Sequence, residues 1–222
     1  MLTPRKRLTK RELKEDKLVT FYYQAQAWFD ENTRVVLIGA GAVIIILIAV
    51  FAISNFKQKA ESKASVDLAI ALRSFSSNQY EQAKPQLNSI VDSYGSTDSG
   101  KLARFYLASA MYKTGDYNGA LEQYKKFAAG FKGDDYIKST AMAGVAACQE
   151  QLEQYESAAE QYLKTAKEFS KIFAAPEYLF KAARCYQLAG NNEKASDLYA
   201  KIVQDYPDSE VKNDALLMKS VM

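Results

Sequence analysis

The side chains that most often do chemistry in proteins are scarce in this sequence, and their spacing matches no reactive arrangement. The chain has 222 residues, no histidine and two cysteines, Cys148 and Cys185. Histidine is the commonest general base near neutral pH and a frequent zinc ligand. The sequence therefore lacks the side chain most often used for either role. The cysteines do not have the CxxC spacing of redox or zinc motifs. We therefore predict no catalytic, cofactor-binding or metal site.

Carboxylates are abundant but give no sign of catalysis. The chain has 26 Asp and Glu residues. Such residues are usually solvated when they lie on the surface of a helix. Asp134 and Asp135 stand side by side, and we expect them to begin a helix, where negative charge complements the helix dipole. The sequence thus predicts a protein that is not an enzyme.

One apolar run dominates the N-terminal part of the chain. The 19 residues Val35–Ile53 carry no charge. At about 1.5 Å per residue, a helix of this length spans about 28 Å, close to the thickness of a bilayer core. We predict a transmembrane helix over residues 35–53. A cleaved signal peptide ending near Val50-Phe51-Ala52 is the alternative, but the preceding segment is long and the apolar run exceeds a normal signal sequence.

The residues before the apolar run predict its orientation. Residues 1–34 carry eight Lys and Arg residues, whereas the stretch after the run carries Lys57, Lys59 and Lys63. This asymmetry favours a cytoplasmic N-terminus and an extracytoplasmic domain over residues 54–222. Leu18, Tyr22, Ala25 and Phe29 recur at helical spacing and predict an amphipathic helix within residues 1–34. This basic segment either only orients the anchor or also docks on a membrane partner or on anionic lipid.

The composition of the rest of the chain indicates a helical domain. Glycine and proline are few, at 10 and 4 residues. The net charge of the chain is +3, but the part after the apolar run is nearly balanced. We expect neither a nucleic-acid partner nor a small-molecule substrate.

A motif recurs four times after the apolar run. Its copies are Tyr80–Ala83, Tyr117–Ala120, Tyr155–Ala158 and Asn192–Ala195, and their alanines lie 37 or 38 residues apart. Twelve residues before each of these alanines stands a second alanine: Ala71, Ala108, Ala146 and Ala183. Four residues after each stands a large side chain: Leu87, Tyr124, Tyr162 and Tyr199. Five residues before the alanine of each motif, three copies have a residue that favours turns: Asn78, Gly115 and Gly190. The fourth copy has Glu153 at this position.

This period predicts stacked pairs of antiparallel helices. Each pair has two amphipathic helices that approach closely at the small residues and are joined by a short turn. One pair cannot bury its apolar face alone, so neighbouring pairs stack into a solenoid. After the fourth pair, Asp208 or Ser209 can cap a last helix that covers the exposed end. The predicted fold is all-α, with about four helix pairs and a C-terminal capping helix.

The cysteines occupy equivalent positions in successive repeats. Equivalent positions on neighbouring pairs usually lie farther apart than the roughly 7 Å between Cα atoms that a disulfide allows. A disulfide would be conceivable in an oxidising compartment. We favour two free, buried thiols.

The repeat resembles the tetratricopeptide repeat family. The matching residues are the small pair Ala108 and Ala120, the turn residue Gly115, the aromatic Tyr124 and the closing Pro207. The family's signature Trp is absent, and the period exceeds the usual length of about 34 residues. In this family the first helix of each pair lines a concave, protein-binding face. The resemblance places there Leu68, Leu72, Phe75, Phe105, Tyr112, Phe180, Arg184 and Gln187. The alternative is that these side chains pack against neighbouring helices or against the long helix that leaves the membrane.

The order of parts resembles a second family. Trp28-Phe29-Asp30-Glu31-Asn32 stands just before the apolar run, and the repeats follow it. This arrangement is similar to the YfgM family, which are ancillary subunits of the bacterial Sec translocon. The resemblance implies a bacterial inner-membrane protein with a periplasmic domain. It also implies three partners: a SecYEG-type channel, a PpiD-type chaperone and newly exported client chains.

Two other classes remain open. One is a structural adaptor for envelope assembly like the BamD or CpoB groups, although these lack a transmembrane anchor of this type. The other is an assembly subunit of another membrane complex of the cell envelope.

Overall fold

The computed structural model describes residues 10–221, with side chains described from residue 19 onward. In this part of the chain every regular element is a helix, as the sequence predicted. The helices are α1 (Lys10–Glu31), α2 (Thr33–Ser76), α3 (Tyr80–Tyr94), α4 (Asp98–Lys113), α5 (Tyr117–Gly130), α6 (Asp135–Gln151), α7 (Tyr155–Glu168), α8 (Ala175–Leu188), α9 (Asn192–Asp205) and α10 (Lys212–Ser220). The chain divides into two compact units, Met1–Phe56 and Lys57–Met222.

In the N-terminal unit, α1 passes into α2 without a loop. The Asn32 N–H donates to the Trp28 carbonyl, and the Asn32 carbonyl accepts from the Val36 N–H, both at 3.0 Å. The Asn32 side-chain amide donates to the same Trp28 carbonyl at 2.8 Å. Side chains that bond back to the preceding turn compete with the helical hydrogen bonds and often bend a helix. Asn32 therefore marks a local irregularity in a continuous run of helix.

The prediction that α1 is amphipathic is wrong for its described side chains. Phe21, Tyr22 and Tyr23 follow one another and are all exposed. Because each residue turns a helix by about 100°, these three rings lie on three different sides. Trp28 and Phe29 extend the same pattern. Polar side chains, among them Gln26 and Asp30, lie between these rings around the helix, so apolar and polar residues are mixed and the helix has no single apolar face.

The apolar run lies in the first half of α2. It contains an 18-residue window with a mean hydropathy of 3.1, and none of that window is buried. Among the described residues, α2 is the one helix long and apolar enough to cross a membrane. A helix that is apolar on all sides needs apolar surroundings. A signal sequence has the same properties, so membrane anchoring stays a prediction.

The C-terminal unit contains the four predicted helix pairs and the predicted last helix. The end of α2 pairs with α3, α4 with α5, α6 with α7, and α8 with α9, while α10 packs on α9. The alanines of the repeat are buried in the cores of the helix pairs. All eight have no exposed surface: Ala71, Ala83, Ala108, Ala120, Ala146, Ala158, Ala183 and Ala195. The period therefore locates the helix contacts correctly in every pair.

The turns between paired helices share one backbone geometry. Asn78, Gly115, Glu153 and Gly190 have φ values of 60°, 83°, 60° and 81°. In each turn the next N–H reaches a carbonyl five residues back; the Asp116 N–H, for example, donates to the Met111 carbonyl at 2.9 Å. This hydrogen bond defines the Schellman motif that ends many helices. Glu153 breaks the sequence pattern but adopts the same conformation as the glycines.

Of two predicted helix starts, one is confirmed and the other is wrong. The Asp134 carboxylate accepts from the Tyr136 and Ile137 N–H groups at 2.8 and 3.1 Å, so it caps α6 as expected. The last helix begins at Lys212, and no side chain caps it. The prediction that Asp208 or Ser209 caps this helix is wrong, because the chain makes one more turn before helix geometry begins.

Both cysteines are free and buried, as predicted. Burial raises the pKa of Cys148 and of Cys185 to about 12. Thiols with such pKa values carry almost no thiolate near neutral pH and are unreactive. Their role in this fold is to fill space between helices.

Candidate functional site

A groove lined by aromatic side chains lies across α4, α6 and α8. Its cavity measures about 430 Å³. Five tyrosines and one phenylalanine line it: Tyr112, Tyr124, Tyr136, Tyr162, Tyr178 and Phe173. We call this surface the tyrosine groove. Tyrosine offers a large, rigid contact surface and a hydroxyl group, a combination common in protein-binding surfaces.

The middle of the groove is open because α6 contributes small residues there. Ala143, Gly144 and Ala147 line it. The Tyr124 ring rests on Gly144, and its hydroxyl lies 2.8 Å from the Ser109 Oγ. Burial raises the pKa of Tyr124 to about 12, so the ring stays neutral. Tyr124 is therefore a fixed wall of the groove.

A partly buried carboxylate ties three helices together beside the groove. Glu150 of α6 forms an ion pair with Arg184 of α8. Tyr162 of α7 donates to the other Glu150 carboxylate oxygen at 3.4 Å. The hydrogen bond to Glu150 is the main cause that raises the pKa of Arg184. Arg184 was predicted as a binding residue, but its guanidinium is already engaged within the fold.

The rim of the groove carries an ordered pair of exposed aromatic rings. Tyr136 and Phe173 stack with their centroids 5.4 Å apart and an angle of 20° between the rings. Tyr136 is 47% exposed and Phe173 is 80% exposed. Lys181 and Glu177 form an ion pair at 2.8 Å on the same side. Exposed aromatic surface with a polar edge is typical of a protein-binding site.

The predicted residues of the first pair pack inside the fold. Leu68 is only 6% exposed and belongs to the core between α2, α3 and α4. Leu72 and Phe75 pack against that core. The Phe75 ring contacts the Tyr80 and Tyr106 rings at centroid distances of 5.2 and 5.3 Å. These side chains therefore make packing contacts within the first pair, the alternative left open by the sequence, and their role in binding stays a prediction.

Two predicted residues of the later pairs also make packing contacts. Phe105 contacts the Tyr124 and Phe127 rings at 5.9 and 5.4 Å. Phe180 contacts the Tyr199 ring at 5.4 Å. Both rings therefore lie between the helices of their own pair. Gln187 is partly buried near the end of α8 and does not line the tyrosine groove.

Of the predicted binding residues, the groove includes Tyr112 alone. The repeat pattern did not predict the groove residues of α6 and of the loop before α8. The reason is helix register. Glu177 and Lys181 line the groove, whereas Phe180 does not, and one residue along a helix is about 100° of rotation. Gly144, a glycine inside a helix, is the one signal in the sequence that pointed to this region.

Within residues 10–221, no group of three or more His, Cys, Asp or Glu side chains is placed to hold a metal ion. The arrangement of the groove offers contact surface and hydrogen bonds. It provides no activated nucleophile.

Comparison with known proteins identifies the fold. Two crystal structures of the nearly identical TPR-like repeats of a predicted kinesin light chain from Podosopora anserina, one of them a point variant, are similar to this chain. Each has a TM-score of 0.59, covers 72% of this chain and 85% of its own, and shares 16% and 15% sequence identity, respectively. Identities this low show a common fold only. None of the curated proteins matches this sequence.

A family model gives the broader assignment. The model described as a tetratricopeptide repeat-like domain matches residues 26–220. The match begins within α1, so it includes the apolar part of α2 as well as the helix pairs. The chain belongs to the tetratricopeptide repeat-like domain family.

Proposed function

We propose that this protein is a protein-binding scaffold, anchored in the bacterial inner membrane, whose periplasmic domain assists newly exported chains beside the Sec translocon. The observation that carries the binding role is the tyrosine groove with its exposed Tyr136–Phe173 stack. Extended segments of unfolded chains expose apolar and aromatic side chains, and a groove of rigid tyrosines suits them. The apolar run of α2 supports the anchor.

The translocon assignment rests on the order of parts. The Trp28–Asn32 segment, the apolar run and the repeats occur in the same order as in the YfgM family. Partners would be a SecYEG-type channel and a PpiD-type chaperone. An anchor near an exit channel raises the local concentration of the binding domain, so weak intrinsic affinity for client chains is enough.

Site-specific photocross-linking in cells tests the binding role. A photoreactive residue at Phe173 should capture exported chains during their translocation. The matched control carries the same photoreactive residue at Leu217, which is 62% exposed and lies outside the groove. Equal capture at both positions would mean that the groove has no special role.

Affinity purification in mild detergent tests the assignment of partners. Recovery of channel subunits, and their loss when residues 1–53 are deleted, would support the translocon role. Recovery of one other envelope complex, with no exported chains cross-linked at Phe173, would instead support the structural-adaptor function.

A further inference from the structure

A second cavity adjoins the tyrosine groove at its rim. It measures about 300 Å³ and lies between the loop before α8 and the turn before α10. Phe173, Ala174 and Glu177 line both cavities. The remaining wall consists of Pro176, Asp208, Ser209, Glu210 and Val211. We call this cavity the acidic pocket.

The charged side chains that line the acidic pocket are all negative. Glu177, Asp208 and Glu210 line it, and no Lys or Arg does. Glu177 pairs with Lys181, but Asp208 and Glu210 have no ion pair within the described part of the chain. These two carboxylates also do not cap α10. Their negative charge is therefore not neutralised by an ion pair among the described residues.

Two further features indicate that the pocket accepts an organic cation. The Ser209 Oγ is buried and lacks a hydrogen-bond partner among the described residues, and a buried hydroxyl is normally paired. The Phe173 ring forms a wall that is 80% exposed, and aromatic faces attract guanidinium and ammonium groups. The carboxylates are not grouped closely enough to hold a metal ion.

We propose that the acidic pocket binds a Lys or Arg side chain of an extended peptide whose aromatic or apolar residues occupy the tyrosine groove. This inference rests on the proposed function and names the chemistry of the client. The shared wall at Phe173 makes one continuous surface of the two cavities, so a single extended segment reaches both. A cation on the client supplies the charge that complements Asp208 and Glu210.

Binding of matched peptides to the full-length protein in an uncharged detergent tests the inference. One fluorescent peptide carries phenylalanines in a Ser/Gly sequence with two arginines at its end. Its partner carries citrulline, a neutral group of similar shape, in place of each arginine. Fluorescence anisotropy measures the affinity of each peptide at an ionic strength of about 0.15 M. The measurement is repeated with a second pair of peptides that carry the arginines or citrullines at the opposite end.

The variants separate the pocket from general electrostatic attraction. Asp208→Asn with Glu210→Gln removes two charges from the pocket. The control, Glu193→Gln with Asp197→Asn, removes two exposed charges from α9 outside the pocket. We expect the pocket variant to weaken binding of the arginine peptide roughly fivefold to tenfold and to leave the citrulline peptide unchanged. The α9 variant should change neither.

Four outcomes would overturn the inference. Equal binding of both peptides to the native protein would mean that the groove binds clients without reading charge, and the proposed function would stand. An equal loss of affinity in the α9 variant would mean that binding depends on the net charge of the protein and not on the acidic pocket. A change of oligomeric state in the pocket variant, seen by analytical ultracentrifugation, would make a second copy of the chain the occupant. If neither peptide bound, the proposed function would fail as well.

Discussion

The Tyr124 ring lies directly on the backbone of Gly144. A Cβ atom at Gly144 would lie 2.8 Å from the Cε2 and Cζ atoms of that ring, closer than atoms can approach. The glycine thus lets a tyrosine of α5 reach across α6 to the wall of the tyrosine groove. A glycine inside a helix normally costs about 1 kcal/mol relative to alanine. At position 144 the close contact with the Tyr124 ring outweighs the preference of helices for alanine over glycine.

We predict that Gly144→Ala destabilises the protein. Overpacking should cost about 1–3 kcal/mol and exceed the gain in helix propensity. Gly130→Ala is the matched control, since a Cβ at Gly130 meets nothing within 4 Å. Urea unfolding measures both. Tyr124→Leu should partly rescue Gly144→Ala, because Leu87 occupies the equivalent position in the first pair. Equal stabilities of the two alanine variants would contradict the contact.

We predict that Glu153→Gly stabilises the protein. Glu153 is an exposed side chain with a φ of 60°, a conformation that is unfavourable for residues with a Cβ. Relief of this strain should raise the free energy of unfolding by about 1 kcal/mol. The reverse change, Gly190→Ala, should lower it by a similar amount, because Gly190 has a φ of 81°. Thermal unfolding compares them. A loss of stability in Glu153→Gly would indicate a role for the carboxylate.

The sequence predicted the positions where helices touch because those positions demand small residues. Ala120 and Ala158, for example, lie where the period placed them and are completely buried. It did not predict which side of a helix faces the groove, because an aromatic residue suits both packing and binding. Phe180 illustrates the ambiguity, since the Tyr199 ring covers it. Phe173 was missed because it lies in a loop, where no period applies.

We predict opposite effects for two phenylalanines. Phe105→Ala should destabilise the protein by about 2–4 kcal/mol, since the ring packs between α4 and α5. Phe173→Ala should leave stability within about 0.5 kcal/mol, since the ring is largely exposed. Phe173→Ala should instead reduce cross-linking to exported chains from a photoreactive residue at Tyr136. Normal stability of Phe105→Ala with loss of client binding would restore the binding role predicted from the sequence.

We predict that Glu61 contributes stability that depends on pH. Its carboxylate accepts from the Ser99 Oγ at 2.6 Å and from the Asp98 N–H at 2.9 Å, and so caps α4 from the neighbouring helix α2. The Ser99 hydroxyl is the main cause that lowers the pKa of Glu61. The folded state therefore favours the ionised form. This contribution is present above the pKa of the unfolded chain and is lost as the pH falls through the lower pKa of the folded chain.

Glu61→Gln measures that contribution. It should lower the free energy of unfolding by less than about 1 kcal/mol at pH 7, because Glu61 is only partly buried. Once the pH lies well below the lowered pKa of Glu61 in the folded chain, the native protein and the variant should be equally stable in urea. A difference that persists at the lower pH would assign the effect to hydrogen bonding that needs no charge.

The last prediction concerns topology. The excess of Lys and Arg before the apolar run predicts a cytoplasmic N-terminus and a periplasmic repeat domain. Protease added to spheroplasts should therefore digest a tag placed after Met222 and spare a tag placed before Met1, while both should be digested once detergent opens the membrane. A fragment that begins after Val50-Phe51-Ala52 and is released without protease would instead establish a cleaved signal peptide. The domain would then reach exported chains by free diffusion, and the advantage of a raised local concentration would be lost. Protection of the C-terminal tag would place the groove in the cytoplasm, where chains emerging from a Sec channel do not pass.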